Sequence, residues 1–333
     1  MSPDANAGVR TGTEAPRAHR SLRLPTLPKG GTALTVGTFD GVHLGHHDVL
    51  ARLAARARRS GLHSVLVTFE PHPSEVLKPE HAPLMLTPGD ERLAALAASS
   101  IDYAVILPFT RTLAALTAEQ FVEGVLLPRF GMRELVVGYD HGFGRDRAGG
   151  VDVLRTLGEQ RGFPVEVVPP YVLPSGETVS STMIRSAVLE GDLERAAVAL
   201  GRPYGVLGRV VQGERRGRLL GYPTINVALP SPRKLLPPAG VYAVRVETPS
   251  GAFGGMMNLG PRPTFGDGAL SLEAHLFDAD VRLYDATVQI IFVHWLRETR
   301  RFDGAEALVA QLGRDEVDAR AALARQTRTA PRR

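Results

Sequence analysis

Residues 37–47 read GTFDGVHLGHH, three glycines and three histidines in one short connection. The flanks decide its meaning. Residues 32–36, TALTV, have the β-branched and apolar character of a buried strand, and residues 48–56, DVLARLAAR, place apolar side chains at helical spacing. The stretch therefore turns a strand into a helix, a place where unpaired backbone N–H groups and the positive end of the helix dipole favour an anion. Gly41 and Gly45 allow a ligand close to the backbone, and His43 and His46, three residues apart on one turn, can donate to the same phosphate. A cap decorated with surface histidines is the alternative; three histidines within five residues, directly after a strand, favour the phosphate site.

The same strand–helix rhythm extends outward to about residue 186. Gly61 is expected to close the first helix, residues 64–69, 103–107, 134–138 and 164–168 read as further strands, and Thr117 with Gln120 opens a helix as a capping pair does. Five strands separated by helices predict an α/β fold, a doubly wound and mainly parallel sheet that binds ligands at the strands' carboxyl ends. Beyond residue 203 the rhythm changes. Residues 206–211, 240–247, 252–258, 270–277 and 287–296 read as strands divided by Gly/Pro turns, which predicts a small antiparallel β-barrel, followed by an amphipathic helix over 303–324. The expected organisation is a disordered basic tail at 1–29, a first domain at 30–186 and a connecting helix within 187–203 that spans 189–197 and ends at Gly201. A second domain at 204–324 and a basic tail at 325–333 complete it. Each domain has enough apolar segments for its own core, so a cut near residue 188 is expected to leave two folding pieces.

Composition narrows the function classes. Hydrophobic content is 44% and charged content 22%, as in globular proteins. With no cysteine there is no disulfide framework and no thiolate metal site, which fits a reducing, cytoplasmic setting. No apolar run has the length of a signal peptide core or a membrane span. The net charge of +4 hints at nucleic acid, but residues 1–29 carry +3 and residues 323–333 carry +4, which leaves the body at −3. Specific nucleic-acid binding is not expected of such a body, and no membrane partner is implied; the oligomeric state stays open.

All the chemistry-bearing loops of the first half follow strands. His43 and His46 come after the first; Pro71-His72-Pro73 after the second; Gly138-Tyr139-Asp140-His141-Gly142 after the fourth; Ser180-Ser181-Thr182-Met183-Ile184-Arg185 after the fifth. On a parallel sheet these ends share a rim, and the set offers several donors to phosphate oxygens. Taken singly, Pro-His-Pro also reads as a rigid turn and Ser-Ser-Thr as a helix cap.

Together these residues resemble a known family. Gly41-Val42-His43-Leu44-Gly45-His46 is similar to the HxGH signature of nucleotidylyltransferases. With Thr38-Phe39-Asp40-Gly41, Pro71-His72-Pro73 and Ser180-Ser181-Thr182-Met183-Ile184-Arg185, it resembles the FMN adenylyltransferase module of bacterial bifunctional riboflavin kinase/FAD synthetases. The second half agrees: Gly208-Arg209-Val210-Val211-Gln212-Gly213, then Gly217-Arg218-Leu219-Leu220-Gly221-Tyr222-Pro223-Thr224-Ile225-Asn226, resembles the riboflavin kinase pattern with its PTxN core. The resemblance covers roughly residues 30–325. It implies phosphorylation of riboflavin to FMN by ATP, then adenylylation of FMN to FAD with release of pyrophosphate.

For the adenylyltransferase the resemblance implies His43, His46 and Arg185 as catalytic groups on the α-phosphate. Gly37, Thr38, Phe39, Asp40, Gly41, His72, Asp140, Ser180, Ser181 and Thr182 would contact ATP or FMN. For the kinase it implies Gly208, Gly213, Gly217, Arg218, Gly221, Pro223 and Thr224 around ATP and flavin, Thr224 and Asn226 on Mg²⁺, and Glu273 as the base for the ribityl 5′-hydroxyl. Glu273 stands in an apolar strand, where a carboxylate costs free energy unless it has a partner or a task; a solvent-facing position on the barrel is the alternative. Two positions depart from the family pattern: His141-Gly142, where Phe and a polar or basic residue are more usual, and Asp285, where Gly is usual. A different adenylyltransferase of the superfamily is the rival enzyme reading, and the PTxN segment argues against it.

Overall fold

The computed structural model describes residues 17–20, 30–144, 149–213, 216–261 and 270–329. Strand β2 (Thr32–Val36) is buried along its whole length. Leu34 and Val36 join one apolar layer with Val65, Val67, Phe121 and Leu154, while Ala33 joins the opposite layer with Leu50, Leu53 and Leu66. Helices thus cover both faces, which is why these strands read as continuous apolar runs and not as alternation. The helix Leu44–Ser60 supplies the second layer through Val49, Leu50, Leu53, Ala54 and Ala57, and it ends at Gly61, whose left-handed φ of 65° returns its N–H to Ala57 and Arg58 carbonyls.

Around β2 the sheet runs β1 (Arg17–Arg20), β4 (Tyr103–Pro108), β3 (His63–Glu70), β2, β5 (Met132–Gly138), β8 (Val165–Val168), with every neighbour parallel. The chain steps from β2 out to β3 and β4, then returns to the far side of β2 for β5 and β8. This is the doubly wound order, and its switch point lies between β2 and β5. A short ribbon, β6 (Gly142–Phe143) with β7 (Gly149–Gly150), follows β5. One expectation is corrected at the edge. Arg17–Arg20 falls in the stretch read as a disordered lead-in, yet it pairs with β4 along Tyr103–Ile106, whose outer backbone groups need partners. The rest of residues 1–29 lies outside the described residues.

The expected single connecting helix over 189–197 is instead two helices, Ser181–Leu189 and Leu193–Leu200. Gly191 takes a φ of 78°, and Asp192 caps the second helix by accepting the Arg195 N–H at 3.0 Å, so the intervening Gly-Asp is both a stop and a start. Gly201 ends that helix in the left-handed region.

The second sheet is a closed antiparallel barrel of β9 (Gly205–Val211), β10 (Thr224–Ala228), β11 (Gly240–Thr248), β12 (Gly251–Pro261), β13 (Leu270–Leu276) and β14 (Thr287–Arg297), in the order β10-β13-β12-β11-β14-β9. Strand β10 is additional to the five expected. Val227, Tyr242, Val244, Met257, Leu259, Leu272, Ala274 and Ile290 are buried. Ala243, Met256 and Phe277 lie on the opposite face, against Ala319 and Ala322 of the last helix. That helix spans Ala305–Thr329 and so runs beyond the expected end at 324; Arg325, Gln326 and Arg328 suit a helix, and no Gly or Pro intervenes before Pro331. Residues 325–329, expected as part of the basic tail, therefore continue the helix; the remainder lies outside the described residues.

By contacts the chain forms two compact units, Met1–Pro83 with Arg92–Thr178, and Leu84–Glu91 with Val179–Arg333. Within the second unit, Met85 exchanges backbone hydrogen bonds with Arg233 (2.7 Å) and Leu235 (2.8 Å). Lys234 Nζ donates to Glu91 Oε2 and to the Leu86 carbonyl, both at 2.6 Å, and the Leu207 N–H donates to Glu91 Oε1 at 2.8 Å. The side chains of this pair are only 1% and 7% exposed.

Candidate functional site

The loop after β2 is built on unusual backbone. Phe39 (φ 48°), Gly41 (87°) and Val42 (41°) all lie in the left-handed region, which costs free energy for bulky side chains and persists only where surroundings impose it. Here Phe39, Asp40 and Val42 are buried. A Cβ on Gly37 would come within 2.9 Å of the Phe39 ring, so the glycine leaves room for that ring to fold back. The Thr38 carbonyl accepts from Thr68 Oγ1 and from an Arg92 nitrogen, both at 3.0 Å.

The loop delivers both imidazoles to one turn. His43 is the N-cap of the following helix, its Nδ1 accepting the His46 N–H at 3.3 Å, so the neutral ring carries its proton on Nε2. The His43 and His46 rings stack with centroids 3.7 Å apart, and Phe39 lies 4.5 Å from His46. Gly45 belongs to this arrangement, since a Cβ there would meet the His43 ring at 3.3 Å.

The rest of the rim is mixed. His72 is the N-cap of the helix Pro73–Leu77; its Nδ1 accepts from Ser74, and its own N–H donates to Glu75 at 3.0 Å. Asp140 is exposed on the turn after β5, closed by the His141 N–H donating to the Gly138 carbonyl at 3.1 Å. Strands β2 and β5 flank the switch point, so His43, His46 and Asp140 follow the two strands between which a doubly wound sheet opens its crevice. Ser180 caps the helix Ser181–Leu189 by accepting from Met183, Ser181 is half-buried, Thr182 is exposed, and Arg185 Nε donates to the Leu84 carbonyl at 2.9 Å. These four residues belong to the second unit by their contacts.

In the barrel, register brings the PTxN strand and the carboxylate together. Asn226 pairs with Glu273, and Glu273 pairs on its other side with Asn258; two residues along, Thr224 pairs with His275. Residues paired across strands share a face, and alternate residues return to it, so Thr224, Asn226, Glu273, His275 and Asn258 form one polar face opposite the apolar interior. Glu273 is half-buried there, between two asparagines. His275 Nδ1 lies 2.8 Å from the Pro223 carbonyl, which only accepts, so that nitrogen carries the proton and ties the PTxN strand to β13.

Glycines let the neighbouring chain close in. A Cβ on Gly213 would be 2.1 Å from Asn226 Nδ2, and one on Gly217 would be 2.3 Å from the Tyr222 carbonyl. A Cβ on Gly208 would meet Val227 at 2.3 Å, where β9 and β10 pair. Gly221 takes a φ of 82° ahead of Tyr222-Pro223. Arg218 lies on the short helix Arg216–Leu219. Residues 214–215 and 145–148 lie outside the described residues. At the position where glycine is usual, Asp285 adopts a φ of 64°, which aspartate tolerates, and Arg209 holds it through the Asp285 carbonyl and carboxylate, both at 3.2 Å.

Three residues of these sites were missed in the sequence reading: Arg92, His275 and Asn258. His275 was within reach, since it stands two residues from Glu273 and so returns to its face. Arg92, in an Asp-Glu-Arg helix start, reads as solvated charge.

A parallel doubly wound sheet with paired histidines after its central strand, and a closed barrel with a PTxN strand opposite a carboxylate, together define a nucleotide-using transferase of two parts. The FAD synthetase family matches residues 27–183, and the riboflavin kinase family matches residues 200–323. The bifunctional riboflavin kinase/FMN adenylyltransferase of Pseudomonas fluorescens is 41% identical over 295 residues, 88% of this chain and 94% of that protein. Its namesake in Escherichia coli (strain K12) is 37% identical over 301 residues, 89% and 94%. A crystal structure from Streptococcus pneumoniae, described as a macrolide-efflux protein, is 31% identical, covers 91% of this chain and 98% of its own, and superposes with a TM-score of 0.79. Among the described residues of the present chain no helix is long and apolar enough to cross a membrane. The chain belongs to the bifunctional riboflavin kinase/FMN adenylyltransferase family.

Proposed function

We propose that the family's two reactions occur at two separate sites of this chain, adenylyl transfer at the loop after β2 and phosphorylation at the polar face of β10 and β13. As a member of the family the chain converts riboflavin and ATP to FMN and ADP, and FMN and ATP to FAD and pyrophosphate. The division is supported by the separate matches to residues 27–183 and 200–323, and it assigns residues 30–186 to the first activity and 204–324 to the second. The observation that carries the kinase assignment is the direct pairing of Asn226 with Glu273.

At the kinase site Glu273 takes the proton from the ribityl 5′-hydroxyl as that oxygen attacks the γ-phosphate. A positioned carboxylate base contributes about 10²- to 10⁴-fold. Thr224 and Asn226 would hold Mg²⁺. Among the described residues no cluster of three or more His, Cys, Asp or Glu forms a metal cage, and two neutral oxygen donors suit an ion that takes its remaining ligands from ATP phosphates and water. When bound, the ion neutralises phosphate charge. Gly213, packed on the Asn226 amide, and Gly217 would close over the phosphates.

At the adenylyltransferase site the FMN phosphate is itself the nucleophile, so no covalent protein intermediate is needed. His43 through its Nε2–H, and His46 beside it, donate to the α-phosphate as charge builds there, with His72 and Asp140 facing nucleotide or flavin. The ATP requirement of both reactions fits a cytoplasmic location.

The test is incubation of the purified chain with riboflavin and Mg-ATP, with flavins separated chromatographically over time. Chelation of divalent metal should abolish FMN formation and Mg²⁺ restore it. Asn226→Ala should weaken Mg-ATP use in FMN formation; an unchanged rate across a range of Mg²⁺ removes the metal assignment.

A further inference from the structure

We propose that Arg92 is a positioning residue for adenylyl transfer, holding the loop that aims His43 and His46; this rests on the reading of those histidines as α-phosphate donors. Arg92 is the largest fully buried side chain described, 2% exposed. A guanidinium is expensive to bury unless its N–H groups find acceptors. Here one terminal nitrogen donates to the Thr38 carbonyl at 3.0 Å and the other to the Phe69 carbonyl at 3.1 Å. Those carbonyls leave adjacent parallel strands, β2 and β3, at their carboxyl ends. The planar fork of arginine bridges two such points at fixed spacing, which the single ammonium of lysine does not.

The clamp acts where the backbone is under strain. The Thr38 carbonyl immediately precedes Phe39, the first of the left-handed residues, and it also accepts from Thr68. Loss of the charged donor frees Phe39 and Val42 to relax toward ordinary φ values. The histidines that follow then shift without loss of the sheet. Arg92 thus acts on the reaction through Thr38, and its signature is a fall in kcat with KM preserved.

The experiment uses the full chain and four variants, R92M, R92K, H46A and R92M/H46A, assayed separately for FMN to FAD and riboflavin to FMN. R92M should lower kcat for FAD formation by about 10- to 100-fold, the scale of an ångström-size misplacement, with KM for ATP within about threefold and riboflavin phosphorylation unchanged. R92K should stay folded and be about tenfold slower, again with KM preserved. In the H46A background the same Arg92 substitution should cost less than about threefold, because the donor it aims is already gone. The proposal is overturned if H46A is slow while R92K runs at the unmodified rate, or if the two substitutions multiply in the double variant. It is also overturned if R92K lowers both activities together with the melting temperature. H46A at full rate overturns the histidine reading itself and this proposal with it, an outcome distinct from the other three.

Discussion

Gly213→Ala isolates the kinase site by one methyl group. The new Cβ would lie 2.1 Å from Asn226 Nδ2 and 2.5 Å from its Cγ, against an ordinary contact of 3.4 Å or more. The Asn226 amide must therefore withdraw by about 1.3 Å, the difference between 3.4 and 2.1 Å. An amide on two rotatable bonds can make that move, so the cost to folding should stay within the roughly 1–3 kcal/mol typical of overpacking. Catalysis is less forgiving, since a misplacement of about 1 Å at a reacting centre costs on the order of 10²-fold. FMN formation from riboflavin, followed by flavin chromatography at saturating Mg-ATP, should fall by that order, while FMN supplied directly still becomes FAD. Gly208→Ala provides the contrast, because its Cβ meets Val227 and the Ala228 carbonyl of a paired strand and should unfold the barrel. A folded Gly213→Ala chain phosphorylating riboflavin within about threefold of the unmodified rate would falsify the placement of Asn226 beside the phosphates.

Glu273→Gln keeps size and hydrogen bonding but removes the base, so FMN formation should slow by about 10²-fold or more with FAD formation from FMN intact; equal loss of both in a folded chain refutes separate sites. His46→Ala should slow FAD formation by about 10²-fold and let FMN accumulate from riboflavin, and a normal FMN to FAD time course would remove His46 from the site. Burial pushes the Tyr242 phenol up from 10.0 to about 12, and its hydroxyl donates to the Pro238 carbonyl at 2.6 Å. A raised folded-state value means that stability is fully present below the unfolded pKa near 10 and is lost as pH rises through about 12. Melting curves of Tyr242→Phe should be flatter across that window and show about 0.5–1.5 kcal/mol less stability at neutral pH; an unchanged alkaline slope counts against the assignment.

How far the sequence carried depended on the range of the cause. The turn at residues 37–47 was legible because strand and helix periods are local, and the Gly61 stop and the Thr117–Gln120 cap are local too. Strand β10 was harder to see as a strand, since Pro223 precedes it and only pairing with β9 and β13 reveals it. Glu273 was suspected from its apolar neighbours, but its place opposite Asn226 is a matter of register. The break at Gly191-Asp192 was written in the sequence as a stop followed by a cap, and the helical composition on either side hid it. Arg92 had no signal at all, because its acceptors are main-chain carbonyls 54 and 23 residues away.

The stretch Leu84–Glu91 has a practical consequence for anyone dissecting the gene. A kinase piece cut near residue 188 would look complete by its motifs, with all six barrel strands and the last helix on board. It would nonetheless lack the carboxylate that neutralises Lys234, the carbonyl of Leu86, and the backbone of Met85 that pairs on either side of Lys234. An ammonium shut away from water and stripped of its counterion costs about 3–5 kcal/mol, a large part of what a domain of this size has to spare. The excised module should therefore purify poorly or melt early. Lys234→Met, which removes the stranded charge with little change in bulk, should restore much of its stability. The second compact unit is thus discontinuous along the chain, and a piece that begins at Val179 and carries residues 84–91 as a fusion should recover what truncation takes away.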